Sequence, residues 1–473
     1  MTLRGRRPGD RRVRIELVRP RDYVIAPPKR IRRPPSPAAV LIVGFLVLIA
    51  VGTVVLVLPV SSQAGTWTDP LTALFTATSA VCVTGLVVVD TGTHWSSFGH
   101  VAILGLIQVG GFGFMTGSTL ILFLLVGRRT RLRDRILVQA STGTSDLGSV
   151  AGVVRRVAAF TVIAEVIGAL ALAVAFFLHG WDPVRAAANG VFHAVSAFNN
   201  AGLDLMGEFR SLTSFTGEPL VLGVIATLIV LGGLGFAIVG DVVGKRSWQR
   251  LALETKVVLA TSVLLLVGGA AAIGVIEWSN PETLGALPAT DRVTNAVFQS
   301  VTARTAGFNS VSIGGLAEAT LLVTIALMFI GGASGSTAGG IKVNTFSLLL
   351  IAIVSTARGD PSATAFGRRI PHIVVYRAIA VALLSIAVAF AVALGLELVA
   401  GGRLLDVAFE AVSALATVGL TTGITPELPD QGRLLLIAAM FVGRLGPLTL
   451  VLALAARARP VSHRPAVESM RIG

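Results

Sequence analysis

The chain has 473 residues, of which 53% are hydrophobic and only 14% are charged, and its mean hydropathy is +0.81. A soluble domain carries about a quarter charged residues, so this composition indicates a membrane protein. The single cysteine, Cys82, excludes an intramolecular disulfide and a multi-cysteine metal site, and the net charge of +14 is concentrated in one tail.

That tail precedes the first apolar stretch. Twelve Lys and Arg residues stand before Pro34, without the aromatic interleaving or zinc-ligand spacing of nucleic-acid-binding segments. We interpret residues 1–37 as a cytoplasmic tail that faces membrane lipids, and we expect no nucleic-acid partner. The first apolar stretch begins only at Ala38, so no signal peptide is predicted.

Eight apolar stretches follow, each of about the 20 residues that a helix needs to cross a bilayer. They are residues 38–60, 101–126, 158–178, 220–243, 257–276, 321–354, 374–396 and 434–456. They form four pairs, and each pair encloses a shorter segment. We therefore predict an all-α polytopic membrane protein with four tandem repeats of helix, re-entrant pore helix, filter strand and helix around one pore. The predicted repeats are 38–126, 127–244, 245–355 and 356–456, and 457–473 is a second cytoplasmic tail.

The four short segments are similar to one another, which marks an internal repeat. Each carries a phenylalanine that is followed nine or ten residues later by a glycine: Phe75 and Gly85, Phe192 and Gly202, Phe298 and Gly307, Phe409 and Gly419. Asp69 and Asp182 stand directly before a proline, a pattern that predicts the N-cap and first residue of a half-length helix. Asp291 and Asp406 are the candidate caps of the other two.

Each half-length helix leads into a short strand. Four such strands around one axis supply rings of backbone carbonyls that can replace the hydration shell of a cation, and the negative ends of the half-helices favour a cation. A single segment of this kind would be interpreted as an ordinary helix end that stops at a glycine. Four matched copies between paired apolar stretches instead favour a selectivity filter. The predicted ion-binding filter residues are Cys82, Val83, Thr84, Gly85, Asn200, Ala201, Gly202, Thr305, Ala306, Gly307, Thr417, Val418 and Gly419.

A glycine-rich run at 331–340 interrupts the sixth apolar stretch. Each glycine costs a helix about 1 kcal/mol relative to alanine, so we predict two half-helices joined by a loop at membrane depth that obstructs or admits ions. Arg444 lies within the eighth stretch, where an arginine is costly, and we favour a pore-facing electrostatic role over a structural ion pair. Lys342 either anchors the loop or reaches the cytoplasm. The predicted gate residues are Gly331, Gly332, Gly335, Ser336, Thr337, Gly339, Gly340, Lys342 and Arg444.

The positive charges predict the orientation. Most of the 39 Lys and Arg residues lie in the two tails and in the loops between the pairs. The positive-inside rule then places both termini in the cytoplasm and the filter segments toward the outside. Glu165 is another deeply placed ionisable residue, and we expect it to pack against polar groups of a neighbouring helix.

From about residue 38 to 456 the sequence resembles the Trk/Ktr/HKT superfamily of potassium transporters, and most closely the bacterial Ktr-type (KtrB-like) membrane subunit. The resemblance is carried by SAVCVTGL at 79–86, SAFNNAGL at 196–203, TARTAGFN at 302–309 and GSTAGGIK at 335–342. It implies potassium uptake across the plasma membrane, often dependent on sodium, and a homodimer in which each protomer has its own pore. It also implies a cytoplasmic ring of RCK-type regulatory subunits that alone bind nucleotide, and an intramembrane gate loop beside the residue that matches Arg444.

Three alternatives stand beside this interpretation. A sodium-conducting or weakly selective cation pore has the same architecture, although the four filter glycines favour potassium. A membrane enzyme needs acids, bases or metal ligands that converge at one depth, and the six histidines are scattered. A transporter with inverted repeats is disfavoured because these repeats are parallel.

Overall fold

A computed structural model describes residues 37–129 and 150–446. Of the predicted tails, only Pro37 falls within these ranges, and the end of the eighth apolar stretch lies outside them. The described residues form four successive units in which two longer helical segments flank a short helix. This order agrees with the predicted fourfold repeat.

The helices follow one another along the chain as the hydropathy pattern predicts. The first unit comprises α1 (Pro37–Val57), α2 (Pro70–Cys82), the one-turn α3 (Thr91–His94) and α4 (Ser97–Arg129). The second comprises α5 (Val150–Leu178), α6 (Pro183–Asn199) and α7 (Pro219–Lys245).

The third and fourth units are joined by a small hairpin. The third comprises α8 (Leu253–Glu277), α9 (Ala289–Thr302), α10 (Glu318–Phe329) and α11 (Val343–Ala357). The hairpin pairs β1 (Thr364–Ala365) with β2 (Arg368–Arg369) in antiparallel register. The fourth unit comprises α12 (His372–Ala400), α13 (Leu404–Leu415) and α14 (Asp430–Leu445).

Two of the predicted helix caps are confirmed. The Asp69 carboxylate accepts the Thr72 backbone N–H at 2.9 Å, directly before α2. The Asp182 carboxylate accepts the N–H groups of Val184 and Arg185 at 3.0 and 3.3 Å, directly before α6. In both helices a proline takes the first position, where its missing N–H costs nothing.

The prediction that Asp291 and Asp406 are N-caps is wrong. The cap positions are Pro288 before α9 and Arg403 before α13, and both aspartates lie inside the first helical turn. An acid there still interacts favourably with the positive end of the helix dipole. It therefore stabilises the helix start without defining it.

The short helices occupy the interior and the long ones face outward. The repeated phenylalanines of the short helices, Phe75, Phe192, Phe298 and Phe409, are each 3% exposed or less. Among the described residues, four helices are long and apolar enough to cross a membrane: Val154–Leu178, Pro219–Lys245, Leu253–Glu277 and His372–Ala400. Apolar side chains on their outer faces, such as Ile167, Val263 and Phe390, are more than half exposed. This arrangement suits a lipid environment around a buried ring of pore helices.

The sixth apolar stretch is broken as its glycine content predicts. Helix α10 ends at Phe329 and α11 begins at Val343. The two edges of the intervening loop are joined by hydrogen bonds from the Gly331 N–H to the Ile341 carbonyl (2.9 Å) and from the Ile341 N–H to the Phe329 carbonyl (3.1 Å). The backbone groups released from the helix are thereby satisfied within the protein, as the membrane interior requires.

Candidate functional site

Each pore helix is followed by a residue in the left-handed backbone region. These residues are Val83, Asn200, Thr305 and Thr417, with φ of 55°, 59°, 73° and 51°. Asparagine tolerates this conformation, but a β-branched residue at positive φ is a genuine outlier. Such outliers cost on the order of 1–3 kcal/mol each and concentrate at functional sites. Three of the four predicted filter strands therefore begin with a strained residue.

The four filter glycines close a ring. Their φ values are 93°, 68°, 85° and 96° for Gly85, Gly202, Gly307 and Gly419. A Cβ placed on any of them would lie under 3.0 Å from a carbonyl oxygen of the next strand. In ring order these oxygens belong to Ala201, Ala306, Val418 and Thr84. The fourth strand thus contacts the first, and all four surround one axis.

A hydroxyl in each pore helix braces the strand that follows it, in one of two ways. In the first and fourth repeats the glycine N–H donates to the serine: Gly85 to Ser79 at 3.0 Å and Gly419 to Ser413 at 3.1 Å. In the other two repeats the hydroxyl donates to a carbonyl one residue beyond the glycine: Ser196 to Leu203 at 2.7 Å and Thr302 to Phe308 at 2.6 Å. The two pairs of repeats therefore present different atoms to the pore helix.

The shorter spacing in the third repeat has a local structural cause. After α2, the Thr84 N–H donates to the Ser79 carbonyl at 2.8 Å and the Val83 N–H to the Ala80 carbonyl at 3.1 Å, which is a Schellman cap. The second and fourth repeats share this pattern. After α9, the Ala306 N–H reaches the Thr302 carbonyl at 3.0 Å, one residue closer. The turn at the end of the third pore helix is thus tighter by one residue.

In three repeats, a glycine of the long helix that follows the filter strand (α4, α7 or α14), here called the inner helix, packs directly on the end of the pore helix. A Cβ at Gly110, Gly232 or Gly443 would lie under 3.0 Å from the carbonyl oxygen of Val81, Phe198 or Leu415, respectively. Each of these oxygens stands four residues before a filter glycine. The small residues therefore permit close contact between these helices and the pore-helix ends.

The 331–340 loop lies against the first residues of three filter strands. The Thr337 hydroxyl donates to the Asn200 side-chain oxygen at 2.9 Å, and its N–H donates to the Gly232 carbonyl at 3.2 Å. A Cβ at Gly339 would overlap Thr417, and one at Gly331 would lie 3.2 Å from the Thr305 methyl group. The loop is therefore in contact with the second, third and fourth repeats at the same end of the filter.

The remaining predicted gate residues hold the loop in shape. Arg444 is 1% exposed and donates to the Thr337 carbonyl, and Lys342 donates to the Ala338 carbonyl. Ser336 donates to the Ala333 carbonyl at 2.6 Å, while Gly335 and Gly340 supply positive φ. The family resemblance implies that Arg444 lies beside this loop, and the structure brings the two together. Within α14, the arginine is part of the loop's hydrogen bonding.

Backbone groups of Gly332 and Ala333, within the loop, make further hydrogen bonds to α11 and to the second repeat. The Ala333 N–H donates to the Gly233 carbonyl at 2.8 Å, and the Gly332 carbonyl accepts the Val343 N–H at 2.9 Å. Opposite them, α7 is kinked at Gly235, whose φ is 74°. The loop thus fits into a bend of the neighbouring inner helix.

Three predicted filter positions leave buried hydroxyls without a hydrogen-bond partner among the described residues. They are the Oγ1 atoms of Thr84, Thr305 and Thr417. Such atoms are costly when they are buried without a partner. Cys82, by contrast, is the last residue of α2 and precedes the turn. Its thiol is fully buried.

A polar cluster behind the second filter strand was only partly anticipated. The Asn199 amide donates to the Glu165 carboxylate at 2.9 Å and to the Gln108 side-chain oxygen at 3.1 Å, and Gln108 donates to Glu165 at 3.1 Å. The expectation that Glu165 packs against polar groups of another helix is confirmed. The involvement of Asn199 was missed, although two consecutive asparagines, Asn199 and Asn200, at the end of α6 are a visible signal.

Asp204 stands two residues beyond Gly202, on the side of the filter away from the loop. Its carboxylate accepts the Met206 N–H at 2.9 Å. Partial burial, together with the nearby Asp90 carboxylate, raises the pKa of Asp204 to about 6. The mouth of the filter therefore carries a carboxylate that changes charge just below neutral pH.

Comparisons of the sequence with known proteins agree on one family. Residues 32–460 match the family model described as "TrkH: Cation transport protein". The chain is 41% identical to Ktr system potassium uptake protein B of Bacillus subtilis, over 89% of this chain and 93% of that protein. It is 37% identical to the potassium/sodium uptake protein NtpJ of Enterococcus hirae, over 94% and 99% of the two chains.

A solved structure shares the fold. The crystal structure of the potassium transporter TrkH from Vibrio parahaemolyticus matches 90% of this chain and 86% of its own, with a TM-score of 0.69 at 18% identity. The shared fold confirms the predicted all-α polytopic membrane protein. The family match and the relatives confirm the predicted Trk/Ktr relationship, and because those relatives are ion transporters they exclude the membrane-enzyme alternative. The chain belongs to the TrkH family of cation transport proteins.

Proposed function

We propose that this chain takes up potassium ions across the plasma membrane through the four-strand filter. The observation that carries the proposal is the closed ring in which each filter glycine lies against a carbonyl of the next strand. Carbonyl rings of this kind replace the hydration shell of a monovalent cation. Relatives whose names specify potassium uptake, at 41% and 39% identity, support the choice of ion.

The ion is held by backbone carbonyls of the predicted filter residues from Val83 to Gly85 and at the equivalent positions of the other repeats. The buried hydroxyls of Thr84, Thr305 and Thr417 are additional oxygen ligands. Sodium is the second candidate, either as a coupled ion or as a permeant one. It is favoured by the resemblance to a potassium/sodium uptake protein.

The 331–340 loop is the gate in this proposal. Its contacts with Asn200, Thr305 and Thr417 support a position directly below the filter. Arg444 holds the loop through the Thr337 carbonyl and adds a positive charge that repels cations while the loop is in place. Movement of the loop away from the filter would remove both the steric block by the loop and the repulsion by the Arg444 charge.

The assembly follows the same proposal. The chain forms a homodimer with one pore in each copy, four repeats at 38–126, 127–244, 245–355 and 356–456, and both termini in the cytoplasm. A ring of RCK-type regulatory subunits binds nucleotide and acts on the gate. The concentration of positive charge in the tails and inter-repeat loops supports this orientation.

Ion uptake by the reconstituted full-length chain tests the proposal. Radioactive rubidium and sodium uptake are measured in proteoliposomes of equal protein content, with protein-free vesicles as the control. We expect rubidium uptake that unlabelled potassium abolishes and that equimolar sodium leaves largely intact. Sodium uptake as fast as rubidium uptake would replace the potassium assignment with a weakly selective cation pore.

A further inference from the structure

Arg304 is a buried cation that the transport pathway does not account for. It lies between α9 and the third filter strand and is 9% exposed. Its guanidinium donates to the Gly331 carbonyl at 3.1 Å, while its Nε is buried with no hydrogen-bond partner among the described residues. The ion pairs of the described residues do not include it. A cation at membrane depth with one neutral partner is costly, and an anion is expected to accompany it.

A cavity of about 100 Å³ borders this side chain. It lies between α7 and α8, the seam where the second repeat meets the third, and Arg304 is its charged lining residue. The walls are apolar: Ile229, Val230, Leu234, Leu259, Val263 and Leu266. Val263 is 58% exposed on the outer face of α8. The cavity therefore borders both the lipid-facing surface and the buried guanidinium.

We propose that this cavity binds a single-chain amphiphile with a carboxylate head, of the fatty-acid class, which enters from the lipid. The carboxylate pairs with the Arg304 guanidinium, whose planar N–H groups match two carboxylate oxygens. The methylene chain leaves along the apolar walls between α7 and α8. A volume of about 100 Å³ admits a carboxylate and the first methylene groups but excludes the glycerol phosphodiester of a two-chain lipid.

Because the cavity adjoins the 331–340 loop, an amphiphile bound there should change ion transport. This effect on transport rests on the proposed role of the loop as the gate. Gly332 lines the cavity, and Arg304 holds the carbonyl of Gly331. These are the first two residues of the 331–340 loop. A carboxylate on Arg304 competes with the Gly331 carbonyl for the guanidinium. The bound amphiphile therefore loosens the loop at Gly331 and raises ion flux.

Photolabelling of the full-length chain in lipid nanodiscs tests binding without reference to transport. The probe is palmitate that carries a photoreactive diazirine near its carboxylate, and labelled peptides are located by mass spectrometry. We expect labels within 229–234 and 259–266, and competition by oleate but not by oleyl alcohol. Arg304→Gln should weaken competition by oleate about tenfold, because a hydrogen bond to a charged group carries that order of affinity.

Two further variants keep the test falsifiable if Arg304→Gln folds poorly. Leu259→Trp fills the cavity while the arginine is retained, and it should abolish labelling. Arg185→Gln, which removes another pore-segment arginine that lies over Trp181, is the matched control and should label normally. Labelling unaffected by Arg304→Gln, equal competition by oleyl alcohol, or labels elsewhere on the chain would each overturn the site. Labelling that disappears as the chain dimerises would assign the seam to a second copy instead.

Rubidium uptake separates the two parts of the inference. Oleate should raise uptake severalfold in the parent chain and leave Leu259→Trp unchanged. Labelling at the seam without any effect on uptake would retain the binding site and overturn its action on the loop. Absence of rubidium uptake in every sample would instead count against the proposed function and leave the labelling result standing.

Discussion

The first and fourth repeats differ from the second and third in the atom that each pore helix holds. Ser79 and Ser413 accept the N–H of the filter glycine itself. Ser196 and Thr302 donate to the carbonyl of the next residue. A carbonyl that accepts a pore-helix hydroxyl is directed toward that helix and is withdrawn from the axis.

This difference bears on how many ions the filter can hold. At the level just beyond the glycines, the carbonyls of Leu203 and Phe308 are occupied by hydroxyls. A ring at that level therefore lacks two of its four inward ligands. The glycine level itself remains complete, because all four glycines take part in the closed ring. The filter thus has four equivalent glycines, but beyond them the second and third repeats, which are neighbours in the ring, differ from the first and fourth.

The glycine ring gives the largest expected effect. In Gly85→Ser the new Cβ overlaps the Ala201 carbonyl and Gly85 has a φ of 93°, so at least one carbonyl must leave the ring. We expect the preference for rubidium over sodium to fall about tenfold or more, since about 1.4 kcal/mol of lost discrimination suffices. Gly307→Ser, in the other pair of repeats, should behave in the same way. The measurement is competitive uptake in proteoliposomes.

Gly105→Ser is the matched control, because a Cβ there meets nothing within 4 Å. It should keep the parental preference. Unchanged ion preference in both Gly85→Ser and Gly307→Ser would argue against the assigned selectivity filter.

Replacement of Arg444 should give the next largest effect, which is a change in the rate of ion uptake. Arg444→Gln removes the charge-assisted hydrogen bond to the Thr337 carbonyl, which is worth about 1.5–3 kcal/mol. We expect rubidium uptake to increase severalfold with little change in ion preference. Arg433→Gln, at the outer end of α14, where the arginine donates to the Pro426 carbonyl, is the control. A change of preference without a change of rate would place Arg444 in the filter and not in the gate.

The two kinds of hydroxyl brace should have unequal effects of smaller size. Ser79→Ala leaves the buried Gly85 N–H without a partner at a cost of about 1–3 kcal/mol, and ion preference should fall severalfold. Ser196→Ala releases a carbonyl that can turn toward the ion, so its preference should change less. Thermal unfolding in detergent and competitive uptake measure both consequences. Equal losses in the two variants would remove the distinction between the pairs of repeats.

The sequence was sufficient for the repeat, the broken helix and the family. Those features depend on periodic patterns: paired apolar stretches, matched Phe and Gly spacings, and the glycine run at 331–340. Two of four helix caps were also predictable, because Asp–Pro is a strong local signal. The prediction failed for Asp291 and Asp406 because the sequence alone does not distinguish an aspartate in the first turn of a helix from one at the N-cap.

Side-chain partners across repeats were beyond prediction from sequence. The hydrogen bond of Asn199 to Gln108 joins residues 91 positions apart, and that of Thr337 to Asn200 joins residues 137 apart. Such contacts depend on the tertiary arrangement of the repeats and not on local propensity. The two kinds of brace were invisible for the same reason, since Ser79 and Ser196 occupy equivalent positions in similar segments.

The smallest expected effect is a pH dependence confined to the second repeat. Asp204 has a pKa of about 6, so it is charged at pH 7 and progressively neutral as the external pH falls toward 5. Loss of a negative charge at the filter mouth weakens the attraction for cations. Rubidium uptake at subsaturating concentration should therefore decline with a midpoint near pH 6. Raising the salt concentration should reduce the size of the decline.

Two variants distinguish Asp204 from other titrating groups. Asp204→Asn should remove the decline and lower uptake at pH 7 to the acidic level. Asp90→Asn should shift the midpoint to lower pH, because the Asp90 carboxylate helps to raise the pKa of Asp204. The equivalent positions in the other strands are Val87, Asn309 and Thr421, which do not titrate in this range. A decline that persists in Asp204→Asn would assign the proton to another group and would leave the second repeat electrostatically equivalent to the rest.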